Sequence, residues 1–184
     1  MEDRVKGYEV LRGVVPEAAR QSALRHIHRD VVARGLPPEW LADWLWSTHW
    51  FPHLKWDAPV VGLLEHLPEQ LRDGELCDPQ ILLQMPDDGE AQEPTSHVDR
   101  VPDWANGRAY LRIVGVALSR NDRRNGGLLV WPLDGGNQEP VDLEPGDVLV
   151  MDPRLPHSSS YNSTGDIRYC VYFRFLEREP AAAA

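Results

Sequence analysis

The stretch that decides the fold is Leu143-Glu-Pro-Gly-Asp-Val-Leu-Val-Met-Asp-Pro-Arg-Leu-Pro-His-Ser-Ser-Ser-Tyr-Asn162. Its Pro-Gly-Asp sequence at 145–147 predicts a turn, and the apolar run Val148–Met151 predicts a buried strand directly after it. We expect His157 to lie at the end of that strand. The stretch therefore joins a buried strand to a side chain that can bind a metal ion.

An alternating segment at 167–176 follows, and it predicts a strand with two different faces. One face is apolar and consists of Ile167, Tyr169, Val171, Phe173 and Phe175. The other face carries Arg168, Cys170, Tyr172 and Arg174. Because a buried guanidinium needs an anionic partner, Arg168 is expected to pair either with one of the 29 acidic side chains or with a bound carboxylate.

Short apolar segments separated by Gly and Pro turns make up most of the second half of the chain. Strands are predicted at 7–15, 79–85, 108–118, 128–132, 148–151 and 167–176. Two helices are predicted, one from Pro16 to a Gly-Leu-Pro-Pro stop at 35–38 and one at 57–71. This order predicts an α+β fold, with a double-stranded β-helix (jelly roll) core and N-terminal helices packed on one sheet.

A candidate metal site is carried by His97-Val-Asp99, where His97 lies sixty positions before His157. Side chains at i and i+2 of an extended segment point to the same side, so His97 and Asp99 can bind one ion together. With His157 they supply two imidazoles and one carboxylate, which can occupy one face of an octahedral ferrous ion and leave three positions open. The residues therefore predict a mononuclear iron oxygenase. The alternative is an ordinary polar loop and a surface histidine.

Length and composition are typical of a globular protein that acts on a small molecule. The 184 residues predict a single domain at 1–178 and a disordered tail at 179–184. The formal net charge of −10 argues against nucleic acid or an anionic membrane as the main partner. No apolar run resembles a signal peptide or a membrane span, and Cys77 and Cys170 are predicted to be reduced thiols, so a cytoplasmic location is expected.

Aromatic residues between 39 and 56 are candidates for a substrate pocket. His49 and His53 have the i, i+4 spacing of helical metal ligands, but Pro52 between them disfavours the helix that this spacing requires. An aromatic wall of the core or of a pocket is the preferred interpretation. The residues expected to line such a pocket are Trp50, Phe51, Trp56 and, further along the chain, Trp104.

On these motifs the chain resembles the phytanoyl-CoA dioxygenase family of Fe(II)/2-oxoglutarate-dependent oxygenases. Gly7-Tyr-Glu-Val-Leu-Arg-Gly-Val is similar to the family's opening strand, and Asn125-Gly-Gly-Leu-Leu-Val-Trp-Pro132 resembles its Asn-Gly-x-Leu-x-x-x-Pro strand. The most specific match runs from Gly146 to His157, with Arg168 eleven positions later, where the family has its 2-oxoglutarate-binding arginine. The acidic loop at 87–94 departs from the family pattern.

The resemblance implies a role for each matching residue and a reaction. The implied iron ligands, which are also the catalytic residues, are His97, Asp99 and His157. The implied ligands of 2-oxoglutarate are Arg168 and Ser159, at its C5 carboxylate, with Gln84 and, less specifically, Gln80. The implied reaction is the O2-dependent hydroxylation of a small molecule with release of succinate and CO2. Related halogenases have a small residue in place of the carboxylate ligand, so Asp99 favours hydroxylation or desaturation over halogenation.

Other classes of protein are weighed against this one. A cupin-like metal enzyme without 2-oxoglutarate would share the double-sheet fold, but it leaves Arg168 unexplained. A binding or sensor protein descended from the fold has no need to keep three intact ligands. A nucleic-acid demethylase of the wider superfamily is disfavoured by the net charge of −10.

Overall fold

The computed structural model describes residues 6–34, 54–77, 79–86, 95–99 and 107–178. Its helices are α1 (Glu17–Arg34), the short α2 (Ala58–Val61) and two 3₁₀ helices (Gly62–His66 and Glu69–Leu71). The strands are β1 (Tyr8–Leu11), β2 (Glu75–Leu76), β3 (Gln80–Gln84), β4 (Tyr110–Ala117), β5 (Leu128–Val130), β6 (Glu139–Val141), β7 (Val148–Met151), β8 (His157–Ser159) and β9 (Arg168–Leu176). None of the described helices combines the length and apolar character that crossing a membrane requires.

Two antiparallel sheets face each other and form the jelly roll. The larger sheet has the order β1-β7-β4-β9-β2, with β3 also paired to β9, and the smaller sheet has the order β6-β5-β8. Side chains from β4, β5, β7 and β9 form a buried cluster between the sheets. The predicted double-stranded β-helix is thus confirmed.

Strand β9 separates the two halves of the core because its side chains alternate. Val171 and Phe173 pack with Ala23 and Ile27 of α1 on the outer face of the larger sheet. On the opposite face, Cys170 and Tyr172 pack between the two sheets. This alternation agrees with the sequence pattern, and it puts Arg168 and Arg174 on the inner face with Tyr172.

The predicted helix at 57–71 is wrong. The chain forms one α-helical turn at Ala58–Val61 and then two 3₁₀ helices, with Leu67 extended between them (φ −74°, ψ 143°). Pro68 explains the break, since a residue that precedes proline disfavours the α conformation and proline has no N–H to donate. Four of the six apolar residues that suggested a helix are nevertheless buried, namely Val60, Leu63, Leu67 and Leu71, while Val61 and Leu64 are partly exposed.

His157 does not lie at the end of the strand Val148–Met151, where we expected it. After Met151 the chain makes a turn in which the Leu155 N–H donates to the Asp152 carbonyl at 3.0 Å, and it then enters the smaller sheet. There His157 begins β8, opposite Val130. The sheet changes here because the prolines at 153 and 156 have no N–H with which to continue the pairing of β7.

The Gly-Asp turn before β7 is stabilised by the buried carboxylate of Asp147. Its Oδ1 accepts a hydrogen bond from the Gly13 N–H at 2.8 Å. Its Oδ2 accepts from the Glu144 N–H at 2.9 Å and from Arg12 Nη1 at 2.6 Å. Burial alone would raise the pKa of Asp147, but these donors outweigh it and hold the pKa below its usual value.

Candidate metal centre

Two histidines meet across a strand pair at β8. The backbone N–H groups of His97 and His157 each donate to the other residue's carbonyl at 2.9 Å, in an antiparallel bridge. Their imidazole centroids lie 4.5 Å apart. Because residues paired directly across two strands hold their side chains close together, the backbone ladder itself brings the two rings to one place.

Asp99 joins the group from the same segment as His97. One ligand atom from each of His97, Asp99 and His157 lies within 4.8 Å of the others. The closest approach of the carboxylate to the second histidine is 3.9 Å, from Asp99 Oδ1 to His157 Nε2. Two imidazole nitrogens and one carboxylate oxygen at these separations can bind one metal ion on one side.

His157 presents a metal-binding nitrogen through Nε2. Its Nδ1 lies 2.9 Å from the carbonyl oxygen of Leu155, which can only accept, so Nδ1 carries the ring proton. Burial lowers the pKa of His157, so the imidazole is uncharged at neutral pH. The lone pair of Nε2 is therefore available for a metal ion, and the bond to Leu155 fixes the ring orientation.

The three candidate ligands line a cavity between the two sheets. Its apolar wall consists of Leu82, Leu128, Met151 and Tyr172. The polar residues that line it besides the ligands are Gln80, Ser158, Ser159 and Arg174. Apolar walls with a few convergent polar groups are typical of sites that bind small organic molecules.

Arg168 is buried on the inner face of β9 with part of its guanidinium unpaired. The residue is 1% exposed, and its Nη1 donates to Asn121 Oδ1 at 3.0 Å. Its Nε and Nη2, the two donors along one edge of the guanidinium, are buried and have no hydrogen-bond partner within the described ranges. An unpaired buried charge is strongly unfavourable, and this edge matches the two oxygens of a carboxylate. Arg168 is therefore suited to a bound carboxylate.

The other residues implied in cosubstrate binding lie on the strands that surround this region. Ser159 follows His157 by two positions on β8 and lines the same cavity. Gln80 lines the cavity from β3, opposite Tyr172 of β9. Gln84, at the other end of β3, is paired in register with Arg168.

The structure does not bring Trp56 to the cavity, contrary to our expectation for a pocket residue. Trp56 is 50% exposed and is absent from the cavity lining. Its neighbours Leu54 and Val60 pack in the cluster between the helices and the outer face of the larger sheet, whereas the cavity lies on the inner face. The other three expected pocket residues, Trp50, Phe51 and Trp104, and the acidic loop 87–94 lie outside the described residues.

Two residues of this region were not singled out from the sequence. Arg174 donates through Nε to Asp99 Oδ2 at 2.9 Å, and its Nη2 lies 2.8 Å from the same oxygen in an ion pair. Asn121 is 2% exposed and accepts from Arg168 Nη1. The alternation placed Arg174 on the same face as Arg168, but its contact with a residue 75 positions earlier depends on the sheet topology. Asn121 lies in a polar turn, where no pattern distinguishes it from its neighbours.

A double-stranded β-helix with two histidines and one carboxylate around one point is the architecture of the non-haem iron oxygenases. The sequence model of the family described as Phytanoyl-CoA dioxygenase matches residues 92–170 of the chain. The matched region contains all three candidate metal ligands and Arg168. The resemblance stated from the sequence is thus confirmed. No curated protein matches the chain.

Solved structures with the same fold include 2-oxoglutarate-dependent proteins. The non-heme α-ketoglutarate-dependent epimerase SnoN from nogalamycin biosynthesis is 20% identical over 95% of this chain and 77% of its own, with a TM-score of 0.63. HygX from Streptomyces hygroscopicus, solved with nickel and 2-oxoglutarate bound, is 16% identical over 95% and 84%, with a TM-score of 0.60. A prolyl-4-hydroxylase from Pseudomonas putida is 18% identical over 96% and 95%, with a TM-score of 0.58. At these identities the likeness establishes the fold.

Proposed function

We propose that the chain is an Fe(II)/2-oxoglutarate-dependent dioxygenase that hydroxylates a small molecule. The proposal is carried by a three-donor metal group that lines a cavity between the sheets, together with Arg168, which is buried behind that lining on the inner face of β9 and has one unpaired edge. The three candidate ligands alone would also fit a metal enzyme that uses no cosubstrate. The unpaired edge of Arg168 needs an anion, and 2-oxoglutarate has a second carboxylate remote from the keto acid that chelates iron.

The residues present fit both the metal and the cosubstrate. His97, Asp99 and His157 would hold Fe(II) from one side and leave three coordination positions open. Arg168 would bind the distal carboxylate through Nε and Nη2, while Asn121 retains Nη1. With iron and 2-oxoglutarate bound, such a centre supplies the oxidising chemistry for C–H hydroxylation by O2, with succinate and CO2 as coproducts. The chain itself contributes ligation, orientation and a cavity with an apolar wall.

The cavity favours a substrate with an apolar part next to polar groups. Leu82, Leu128 and Met151 can contact hydrocarbon, while Gln80 and Ser159 can hydrogen-bond to hydroxyl or carbonyl groups. The carboxylate ligand Asp99 supports hydroxylation over halogen transfer. Because SnoN of the same fold is an epimerase, identification of the product must accompany any activity measurement.

The proposal is tested by an anaerobic titration of metal-free protein with Fe(II) and then 2-oxoglutarate, followed by visible absorption. We expect a metal-to-ligand charge-transfer band that requires both additions and is lost in His97→Ala. The variant Arg168→Met should still bind Fe(II), but should need a much higher concentration of 2-oxoglutarate. Arg178→Gln is the matched control, because this exposed arginine pairs with Asp73 and lines neither cavity beside Asp99.

Each other result points to a different class of protein. Iron binding without the band at saturating 2-oxoglutarate would reject the cosubstrate and favour a cupin-like metal enzyme. Absence of iron binding in the wild type would favour a binding or sensor protein. Once the band is established, succinate formed under O2 provides the readout for screening small-molecule substrates.

A further inference from the structure

We infer that Arg174 is a positioning residue that keeps Asp99 a one-oxygen ligand of the metal ion, an inference that rests on the proposed function. Arg174 Nε donates to Asp99 Oδ2 at 2.9 Å, and Arg174 Nη2 lies 2.8 Å from the same oxygen in an ion pair. The other carboxylate oxygen, Oδ1, faces His157 Nε2 at 3.9 Å. Oδ2 of Asp99 is thus bound to Arg174, and Oδ1 lies among the candidate metal-ligand atoms.

The contact between these side chains is shielded from water and anchored at both ends. The side chains of Arg174 and Asp99 are 11% and 12% exposed. Arg174 lies inside β9, paired with Ile113 of β4, and its carbonyl accepts from the Cys77 N–H at 2.8 Å. Asp99 follows His97, which is bridged to β8. One hydrogen bond and one close ion-pair contact to the same oxygen, between two anchored backbones, fix the rotation of the carboxylate.

The orientation of Asp99 determines how many metal positions stay open. Bound through Oδ1 alone, the carboxylate takes one position, so that with two histidines three positions are left. Two of these would accept the keto acid of 2-oxoglutarate. A carboxylate free to rotate can bind through both oxygens and would occupy one of them. The predicted consequence of losing Arg174 is therefore weaker binding of the cosubstrate.

Loss of Arg174 should affect the affinity for the metal ion differently from the affinity for the cosubstrate. The positive charge of Arg174 lies next to the cation site, and like charges at this range repel each other. Removing that charge should leave metal binding unchanged or make it tighter. If Arg174 only supported the local fold, its loss would weaken the binding of metal and cosubstrate together. Measuring both affinities therefore distinguishes a role in orienting Asp99 from a purely structural role.

The test compares Arg174→Gln and Arg174→Lys with the wild type and with the exposed control Arg178→Gln. Mn(II) binding is measured by the EPR signal of the free ion, and 2-oxoglutarate binding by the anaerobic charge-transfer band. We expect Arg174→Gln to bind Mn(II) at least as tightly as the wild type. We expect the dissociation constant of 2-oxoglutarate to rise roughly tenfold or more in both variants, since changes in groups that orient a ligand have effects of about this size. Lysine keeps the positive charge but lacks the planar guanidinium that contacts Asp99 Oδ2, so Arg174→Lys should not restore 2-oxoglutarate binding.

Three results would overturn the inference. Full recovery of 2-oxoglutarate binding in Arg174→Lys would assign the effect to charge alone, and unchanged binding in Arg174→Gln would remove the effect altogether. Joint loss of Mn(II) and 2-oxoglutarate binding in both variants would leave only a structural role. Thermal unfolding checks that each variant is folded, and the lysine variant carries the test if the glutamine variant does not fold. If the wild type shows no charge-transfer band, the proposed function is rejected. If the wild type shows the band and the Arg174 variants form it at the same 2-oxoglutarate concentration, only this inference is rejected.

Discussion

Replacing Arg168 with methionine should stabilise the ligand-free protein and weaken the 2-oxoglutarate complex at the same time. Arg168 is 1% exposed, and its Nε and Nη2 have no partner in the part of the chain that the structure describes. Each buried unsatisfied donor costs about 1–3 kcal/mol, and the lost bond to Asn121 offsets part of the gain when the arginine is removed. The free energy of unfolding should therefore rise by about 2 kcal/mol, or about 4–8 °C in Tm for a chain of this size.

The same two donors determine how much binding is lost. Hydrogen bonds to charged groups contribute about 1.5–3 kcal/mol each, so two of them correspond to about 3–6 kcal/mol. The dissociation constant of 2-oxoglutarate should rise by roughly 10²- to 10⁴-fold in Arg168→Met. Metal binding should be retained, because the three candidate ligands are unchanged.

The assay is thermal unfolding of both proteins with Mn(II) alone and with Mn(II) plus 2-oxoglutarate, so that the effect of the metal ion cancels. Adding 2-oxoglutarate at a hundredfold excess over the wild-type dissociation constant should stabilise the wild type by about 2.7 kcal/mol and the variant by about 0.4 kcal/mol or less. The exposed control Arg178→Met should change neither quantity. An Arg168→Met protein that is less stable than the wild type and still stabilised by 2-oxoglutarate would refute both the unpaired state of this guanidinium and its role.

Three further predictions concern neighbouring groups. Asn121→Leu frees Nη1 of Arg168 and should raise the dissociation constant of 2-oxoglutarate about tenfold in the anaerobic titration, with unchanged iron binding. Asp147 has a lowered pKa, so it stabilises the fold above about pH 4 and loses this effect as the pH falls through the folded pKa. Asp147→Asn should therefore cost about 2 kcal/mol at pH 7 and flatten the acid side of the stability curve in urea unfolding, and an unchanged acid side would contradict this. Burial raises the pKa of Cys170 to about 11, so iodoacetamide at pH 8 should label it only after unfolding, and rapid labelling of native protein seen by mass spectrometry would be the opposite result.

The alternating segment at 167–176 was predictable because its period of two is set by strand geometry alone. Inner and outer faces could be assigned from that pattern, including the face of Arg168. The helix at 57–71 was predicted wrongly because burial of Val60, Leu63 and Leu67 gives a helical spacing even where Pro68 breaks the helix. Apolar spacing reports which residues are buried, and the backbone conformation also depends on proline.

Short strands were the other elements that could not be predicted from the sequence, and one of them carries a candidate metal ligand. The strand β8 has only three residues, His-Ser-Ser, and carries no apolar signal. Its pairing with β5 and with His97 is set by contacts between distant parts of the chain. The ion pair of Arg174 with Asp99 is of the same kind. The sequence thus supplied the candidate site residues, while the partners that orient them became visible only in three dimensions.

The antiparallel bridge between His97 and His157 has a consequence for the mechanics of the chain. An ion held by both residues would act as a removable cross-link between positions sixty residues apart. In the chain-entropy description of cross-links, closing a loop of that length restricts the unfolded state by about 4 kcal/mol. Removing the metal ion with a chelator would then make the 95–99 segment accessible to proteases. Enzymatic activity and resistance to proteolysis would therefore be lost together.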